Sequence, residues 1–185
     1  MNYRTITIPY KQPIDAIVYS AHNSKGTVVY SHGLFSSKDA YKINQIAPAL
    51  CQSGYTVISF SYCYTRDYAS GTPLTIELPA CAHELNAVLE YAAVHYNANL
   101  HIVGSSMGGT IAMYYCAMMP YTVSIKSVSI IATPVHLQHL VTTLAPQGIH
   151  GDSIAVGEYT IAASSLNQLN SIQLIHLIPR IDVPV

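Results

Sequence analysis

The pentapeptide Gly-Ser-Ser-Met-Gly at positions 104–108 constrains the fold of this chain more than any other segment. It follows the apolar run at 100–103 and precedes a stretch rich in alanine, methionine and tyrosine. We expect a strand, a sharp turn and a helix in that order, because Gly104 and Gly108 allow the backbone to fold tightly. Ser106 would then protrude above the end of the sheet, which makes it a candidate nucleophile.

The rest of the chain alternates between strand-like and helix-like patterns. Short apolar or alternating runs predict strands at 3–9, 14–20, 27–31, 55–61, 100–103 and 127–132. Helical spacing of apolar residues predicts helices around 43–50, 85–92 and 106–119. Strands that alternate with helices favour an α/β fold, a mostly parallel sheet with helices on both faces.

The C-terminal quarter of the chain has a different pattern. Weak helical patterns at 137–144 and 161–169 are separated by glycines, so we expect a lid or cap insertion over residues 134–180. It would belong to one domain spanning residues 1–185. The apolar residues at 181–185 look like the start of one more buried strand, which predicts a sheet truncated after about six strands and a domain incomplete at its C-terminus.

A second short motif follows the predicted strand at 27–31. His32 and Gly33 precede the apolar residue Leu34, a pattern typical of loops that bind an oxyanion. We expect the main-chain N–H groups of Leu34 and Met107 to be the two oxyanion donors. We expect His32 to hold the loop through its side chain, because a general base must instead reach the nucleophile directly.

These motifs resemble those of the α/β-hydrolase superfamily. The matching pieces are His-Gly-Leu-Phe at 32–35, Gly-Tyr-Thr-Val at 54–57 and Val-Gly-Ser-Ser-Met-Gly-Gly at 103–109. Within the superfamily the chain is similar to small serine carboxylesterases, the feruloyl and cinnamoyl esterases and the monoacylglycerol lipases. The resemblance extends over residues 26–185.

The resemblance implies cleavage of carboxylic esters through an acyl-enzyme at Ser106. The substrate would be a small-molecule ester, and neither a metal ion nor an organic cofactor would be required. His32, Gly33, Gly104 and Gly108 would support the loop and the turn.

The acid and the base of a catalytic triad are not assigned by this resemblance. In the family they follow the serine and lie beyond the strand that would begin near position 183, where the chain offers no matching residues. Six residues after Ser106 remain alternatives: Asp152, Glu158, His136, His139, His150 and His176. A second hypothesis is therefore a catalytically inactive hydrolase fragment or pseudoenzyme that acts as a binding or assembly module.

The loop after the predicted strand at 55–61 departs from the family pattern. The family often has a glycine-rich Asp-x-Arg-Gly loop there, whereas this chain has tyrosines at 62, 64 and 68. Because tyrosine combines an apolar ring with a polar hydroxyl, these residues either pack in the core and at the surface or line a pocket for an aromatic substrate.

Composition excludes several other classes of protein. Only 9% of the 185 residues are charged, the net charge is −1, and no cluster of Lys or Arg occurs. The charge needed to bind nucleic acid is therefore missing. The four cysteines lack the spacing of metal ligands and are expected to be reduced.

The location and self-association of the chain can also be predicted. No apolar run approaches the ~20 residues of a transmembrane helix. The N-terminus lacks the apolar core of a signal peptide, so a cytoplasmic location is expected. An unpaired apolar sheet edge would promote self-association.

Overall fold

A six-stranded sheet organises the protein. The computed structural model describes residues 2–66 and 70–185. Its strands are β1 (Asn2–Ile8), β2 (Ile14–Ser20), β3 (Gly26–Ser31), β4 (Tyr55–Phe60), β5 (Leu100–Ser105) and β6 (Ile125–Ile131). Their spatial order is β1-β2-β4-β3-β5-β6, with β1 and β2 antiparallel to their neighbours and the other four strands parallel. The predicted α/β class with a mostly parallel sheet is confirmed.

Helices cover both faces of this sheet, as predicted. The α-helices that lie fully within the described ranges are α1 (Tyr41–Gln52), α2 (Leu78–His95), α3 (Met107–Met118), α4 (Leu137–Leu144) and α5 (Ala163–Ser171). Successive side chains of a strand point to opposite faces, so Val28 and Tyr30 of β3 pack with α1. Val29 belongs to the larger core on the other face, which contains α2 and α3.

The carboxyl ends of the parallel strands bring the predicted motifs together. Ser31 at the end of β3 pairs with Gly104 of β5, and Gly104 also pairs with Ile130 of β6. The loop after β3 and the turn after β5 therefore leave the sheet side by side. In open α/β sheets this edge is the usual place for a ligand site.

The segment at 134–180 contains a hairpin that the sequence pattern did not predict. Strands β7 (Ser153–Val156) and β8 (Tyr159–Ala162) pair around a two-residue turn whose first residue, Gly157, has a φ of 61°. The predicted helix at 161–169 is wrong at its start, because residues 159–162 pair as a strand and α5 begins at Ala163. The signal was present, since glycine in the first position is typical of a two-residue hairpin turn.

The last residues lie beside β6, where a further strand would be. The Val128 N–H donates to the Pro184 carbonyl at 2.8 Å. Residues 181–185 do not form a strand, and Pro184 and Val185 are exposed, so the prediction of a buried strand is wrong for this segment.

No helix within the described ranges is both long and apolar enough to cross a lipid bilayer.

Candidate active site

Ser106 occupies a strained turn between β5 and α3. Its backbone has φ 53° and ψ −123°, a conformation that a residue other than glycine adopts only when its surroundings enforce it. The Ser106 N–H donates to the Ile131 carbonyl at 2.8 Å, which fastens the turn to the end of β6. Ser106 is partly exposed, whereas its neighbours Ser105 and Met107 are buried. The turn therefore presents the hydroxyl of Ser106 and hides the residues on either side.

Glycines allow the main chains around this turn to touch. A Cβ atom on Gly108 would lie 2.0 Å from the Ser31 carbonyl oxygen, and one on Gly104 would lie 2.5 Å from the Gly109 Cα. No side chain fits at such distances. The turn and the end of β3 are thus packed backbone to backbone.

The loop after β3 lies directly against Ser106. A Cβ atom on Gly33 would be 3.1 Å from the Ser106 Cβ. The buried His32 ring holds this loop in place, with Nδ1 2.7 Å from the Gly33 carbonyl oxygen. Its Nε2 accepts the Tyr62 N–H at 3.2 Å, so the ring proton belongs on Nδ1. Burial lowers the pKa of His32 to about 4, so the ring is neutral at physiological pH.

Two main-chain N–H groups belong to the segments around the serine, that of Met107 in the same turn and that of Leu34 in the loop that lies against it. The Ser106 carbonyl accepts N–H groups of the first turn of α3, from Gly109 at 2.9 Å and Thr110 at 3.2 Å. Since carbonyl and N–H point in opposite directions across a trans peptide, the Met107 N–H points away from the helix. The Leu34 N–H likewise points away from His32. Within the described part of the chain, neither N–H donates to a protein acceptor.

The described residues do not include a general base that is hydrogen-bonded to Ser106. Within residues 2–66 and 70–185, no histidine nitrogen or carboxylate oxygen forms a hydrogen bond with the Ser106 hydroxyl. The His136 and His139 rings lie 5.5 Å apart beside each other, and the His150 Nε2 contacts the Gln147 carbonyl at 2.8 Å. None of the six alternatives considered from the sequence forms a hydrogen bond with the serine in the described structure.

Sequence reasoning missed the role of Tyr62. This residue has no exposed surface, so the interpretation of Tyr62 as a pocket-lining residue is wrong. Its hydroxyl lies 2.6 Å from the Ser31 hydroxyl, which itself donates to the Gly108 carbonyl at 2.9 Å. Tyr62 therefore donates to Ser31. Tyr64 is buried and stacks on Tyr62, while Tyr68 lies outside the described residues.

Sequence reasoning also missed the contacts of two ionisable side chains, Lys42 and Glu84. The Lys42 ammonium donates to the buried Ser105 hydroxyl at 2.5 Å, on the α1 side of the sheet. Glu84 on α2 is only 6% exposed and accepts the Cys63 N–H at 2.8 Å. The signal for Glu84 was its position among the apolar residues Leu85 and Val88 on the buried face of a helix.

The hairpin of the 134–180 segment reaches the loop after β3. The rings of Phe35 and Tyr159 stack with centroids 4.4 Å apart and planes inclined by 15°. The hairpin is also joined to residue 74, since the Leu74 N–H donates to the Thr160 carbonyl at 2.8 Å. This segment therefore lies next to the candidate site.

Residues 24–141 match the sequence model of the family described as "Alpha/beta hydrolase domain". The chain belongs to the alpha/beta hydrolase family. The predicted superfamily is thereby confirmed, and the alpha/beta hydrolase motifs at 32–35 and 103–109 fall within the matched range. No curated protein sequence matches the chain significantly.

Solved structures share this alpha/beta hydrolase fold. Est1E from Butyrivibrio proteoclasticus, solved with ferulic acid bound, superimposes with a TM-score of 0.79 at 16% identity, over 97% of this chain and 76% of that chain. The esterase domain of a Rhodothermus marinus protein gives 0.70 at 19% identity, over 100% and 74%. A dienelactone hydrolase from Anabaena variabilis gives 0.62 at 16% identity, over 78% and 68%. At these identities the likeness establishes the fold.

Proposed function

We propose that the protein is a serine hydrolase that cleaves small carboxylic esters through an acyl-enzyme at Ser106. The observation that carries this proposal is a partly exposed serine at a strained turn, with two main-chain N–H groups, in the turn and in the adjacent loop, that have no protein acceptor among the described residues. Family membership supports hydrolase chemistry. The ferulic acid bound to Est1E supports hydroxycinnamoyl esters as one substrate group to test.

In the proposed reaction, the Ser106 Oγ attacks the ester carbonyl carbon and loses its proton to a base. The N–H groups of Leu34 and Met107 stabilise the negative oxygen of the tetrahedral intermediate. The carbon–oxygen bond to the alcohol then breaks and the alcohol leaves with a proton. Water next attacks the acyl carbonyl, which releases the acid and restores the serine.

A second candidate function is binding or assembly without turnover. The observation that favours it is that, within the described residues, the Ser106 hydroxyl has no hydrogen bond to a histidine or a carboxylate. The edge at β6 would supply an apolar surface for self-association, since Ile130 and Ile131 are 37% and 36% exposed.

Labelling with a fluorophosphonate, together with hydrolysis of p-nitrophenyl butyrate and methyl ferulate, tests these proposals. We expect the wild type to label and turn over, and Ser106→Ala to lose labelling and at least ~10³-fold in kcat. Ser105→Ala is the matched control, because that hydroxyl is buried beside Lys42 and cannot meet the probe.

Equal labelling of the wild type and Ser106→Ala would refute the role of Ser106. A folded wild-type protein that neither labels nor turns over would favour the binding function instead. In that case, a concentration-dependent increase in mass by light scattering would support assembly through the sheet edge.

A further inference from the structure

A buried carboxylate lies outside the turn at Ser106, on a different element. Glu84 belongs to α2, is 6% exposed, and its Oε2 accepts the Cys63 N–H at 2.8 Å. Burial raises the pKa of its carboxyl, whereas the hydrogen bonds from Cys63 oppose that rise. Burying a carboxylate costs free energy unless it has hydrogen-bond partners. The bond from the Cys63 N–H offsets part of that cost for Glu84.

Glu84 and His32 accept hydrogen bonds from the main-chain N–H groups of two neighbouring residues. The N–H groups of Tyr62 and Cys63 are consecutive along the chain, and they bond to different elements. The Tyr62 N–H donates to the His32 Nε2 at 3.2 Å, and the Cys63 N–H donates to Glu84. The short 3₁₀ turn at Cys63–Thr65 is thereby fixed between β3 and α2.

Tyr62 connects this short turn to both of the proposed oxyanion donors. Through His32 it reaches the Gly33 carbonyl, whose peptide carries the Leu34 N–H. Through its hydroxyl and Ser31 it reaches the Gly108 carbonyl in the first turn of α3, next to Met107. A shift of Tyr62 would therefore displace the two donors relative to each other.

We infer that Glu84 is a positioning residue for the oxyanion donors and acts through the main-chain N–H of Cys63. This inference rests on the proposed esterase function. It predicts that loss of the bond between Glu84 and Cys63 weakens transition-state stabilisation, although Glu84 itself does not contact the substrate. Misplacement of catalytic groups by about 1 Å can cost ~10²-fold in rate.

Cys63→Pro removes the N–H that Glu84 accepts and is compatible with the local backbone. Cys63 is the first residue of its 3₁₀ turn, and Tyr62 before it has φ −63° and ψ 150°, as a residue before proline prefers. We expect kcat to fall ~10²-fold while KM stays near the wild-type value. Cys63→Ser keeps the N–H and is the matched comparison, with kcat close to wild type.

Glu84→Ala removes the acceptor instead of the donor and should reproduce the loss in kcat. Combining it with Cys63→Pro should cost no more than either change alone, because both remove the same bond. Glu84→Gln keeps an acceptor oxygen and should retain more activity than Glu84→Ala. Glu90→Ala is the control on the same helix, since Glu90 bonds to Asn86 and Thr122 rather than to the short turn.

A readout that does not need turnover separates this inference from the proposed function. Nitrogen NMR of the His32 ring should show a proton on Nδ1 in the wild type and mixed tautomers in Glu84→Ala and Cys63→Pro. Folded variants with wild-type kcat, or a change in KM alone, would overturn the positioning role. If the wild type itself is inactive, an unchanged His32 tautomer in the folded Glu84→Ala and Cys63→Pro variants would overturn the structural link as well. If one variant does not fold, the other supplies the same comparison.

Discussion

The turn at Ser106 and the 134–180 segment are attached to the sheet in different ways. Around the turn, main chains touch through glycine, and Ser31 and His32 have no exposed surface. In the 134–180 segment, a Cβ atom on Gly151 or Gly157 would meet nothing within 4 Å. The first region is held by backbone contacts that leave no space, whereas the second is held by buried side chains such as Leu137 and Leu166 and has open space at these two exposed glycine turns.

This contrast matches what an esterase would require of each region. Oxyanion stabilisation depends on donors that are fixed before the substrate arrives, which close backbone packing provides. A cap that admits a substrate must move at low cost, and the open space around the turns at Gly151 and Gly157 allows local movement there. The contrast therefore supports the proposal that 134–180 acts as a cap. Three predictions test the contrast between the two regions.

The largest expected difference is between Gly108→Ala and Gly151→Ala. At Gly108 the new Cβ would lie 2.0 Å from the Ser31 carbonyl oxygen, and backbone cannot rotate away, so we expect a loss of about 4 kcal/mol or more in the free energy of unfolding. At Gly151 space is open and only the φ of 71° is unfavourable, so we expect a loss of about 1 kcal/mol.

Urea denaturation of both variants measures these losses, and hydrolysis of p-nitrophenyl butyrate shows whether Gly151→Ala keeps activity. Similar losses of stability for the two variants would show that the turn at Ser106 and the 134–180 segment are packed equally tightly, which would contradict the contrast drawn above.

A pH dependence of stability should arise from the turn region through His32. Its pKa is about 4 in the folded protein and 6.5 when unfolded, so the unfolded chain binds more protons between these values. Stability is therefore complete above about pH 6.5 and falls as the pH is lowered towards 4. The shift corresponds to roughly 3 kcal/mol.

His32→Asn removes this titration, and its side-chain amide can still donate to the Gly33 carbonyl. Denaturation at several pH values between 4 and 7 should give a shallower dependence for the variant than for the wild type. Parallel curves would mean that another group controls acid stability.

The two regions also differ in how far the sequence predicted them. The turn at 104–108 and the loop at 32–34 were predicted because short motifs encode a local backbone shape, with glycine wherever chains touch. In the 134–180 segment, α4 was predicted at the residues where it forms, 137–144. The hairpin was missed because its strands are short and weakly patterned.

The hydrogen bonds around the candidate site could not be predicted from local patterns. The bond between Cys63 and Glu84 spans 21 residues, and that between Lys42 and Ser105 spans 63. Such pairs depend on how the elements pack. The sequence did contain one relevant signal, a glutamate on the apolar face of α2. This position predicts a buried carboxylate but does not identify the group that bonds to it.

The smallest predicted effect concerns the contact between the two regions, the stack of Phe35 on Tyr159. An aromatic pair of this kind contributes about 1 kcal/mol beyond the burial of its area. A double-mutant cycle with Phe35→Ala and Tyr159→Ala should therefore give a coupling of about 1 kcal/mol, whereas Tyr159→Phe should retain it. Because the stack joins the cap segment to the loop against Ser106, its loss should also speed proteolysis within 134–180 while the sheet stays intact. Additive single effects, with unchanged proteolysis, would mean that the rings meet without holding the cap segment to the site.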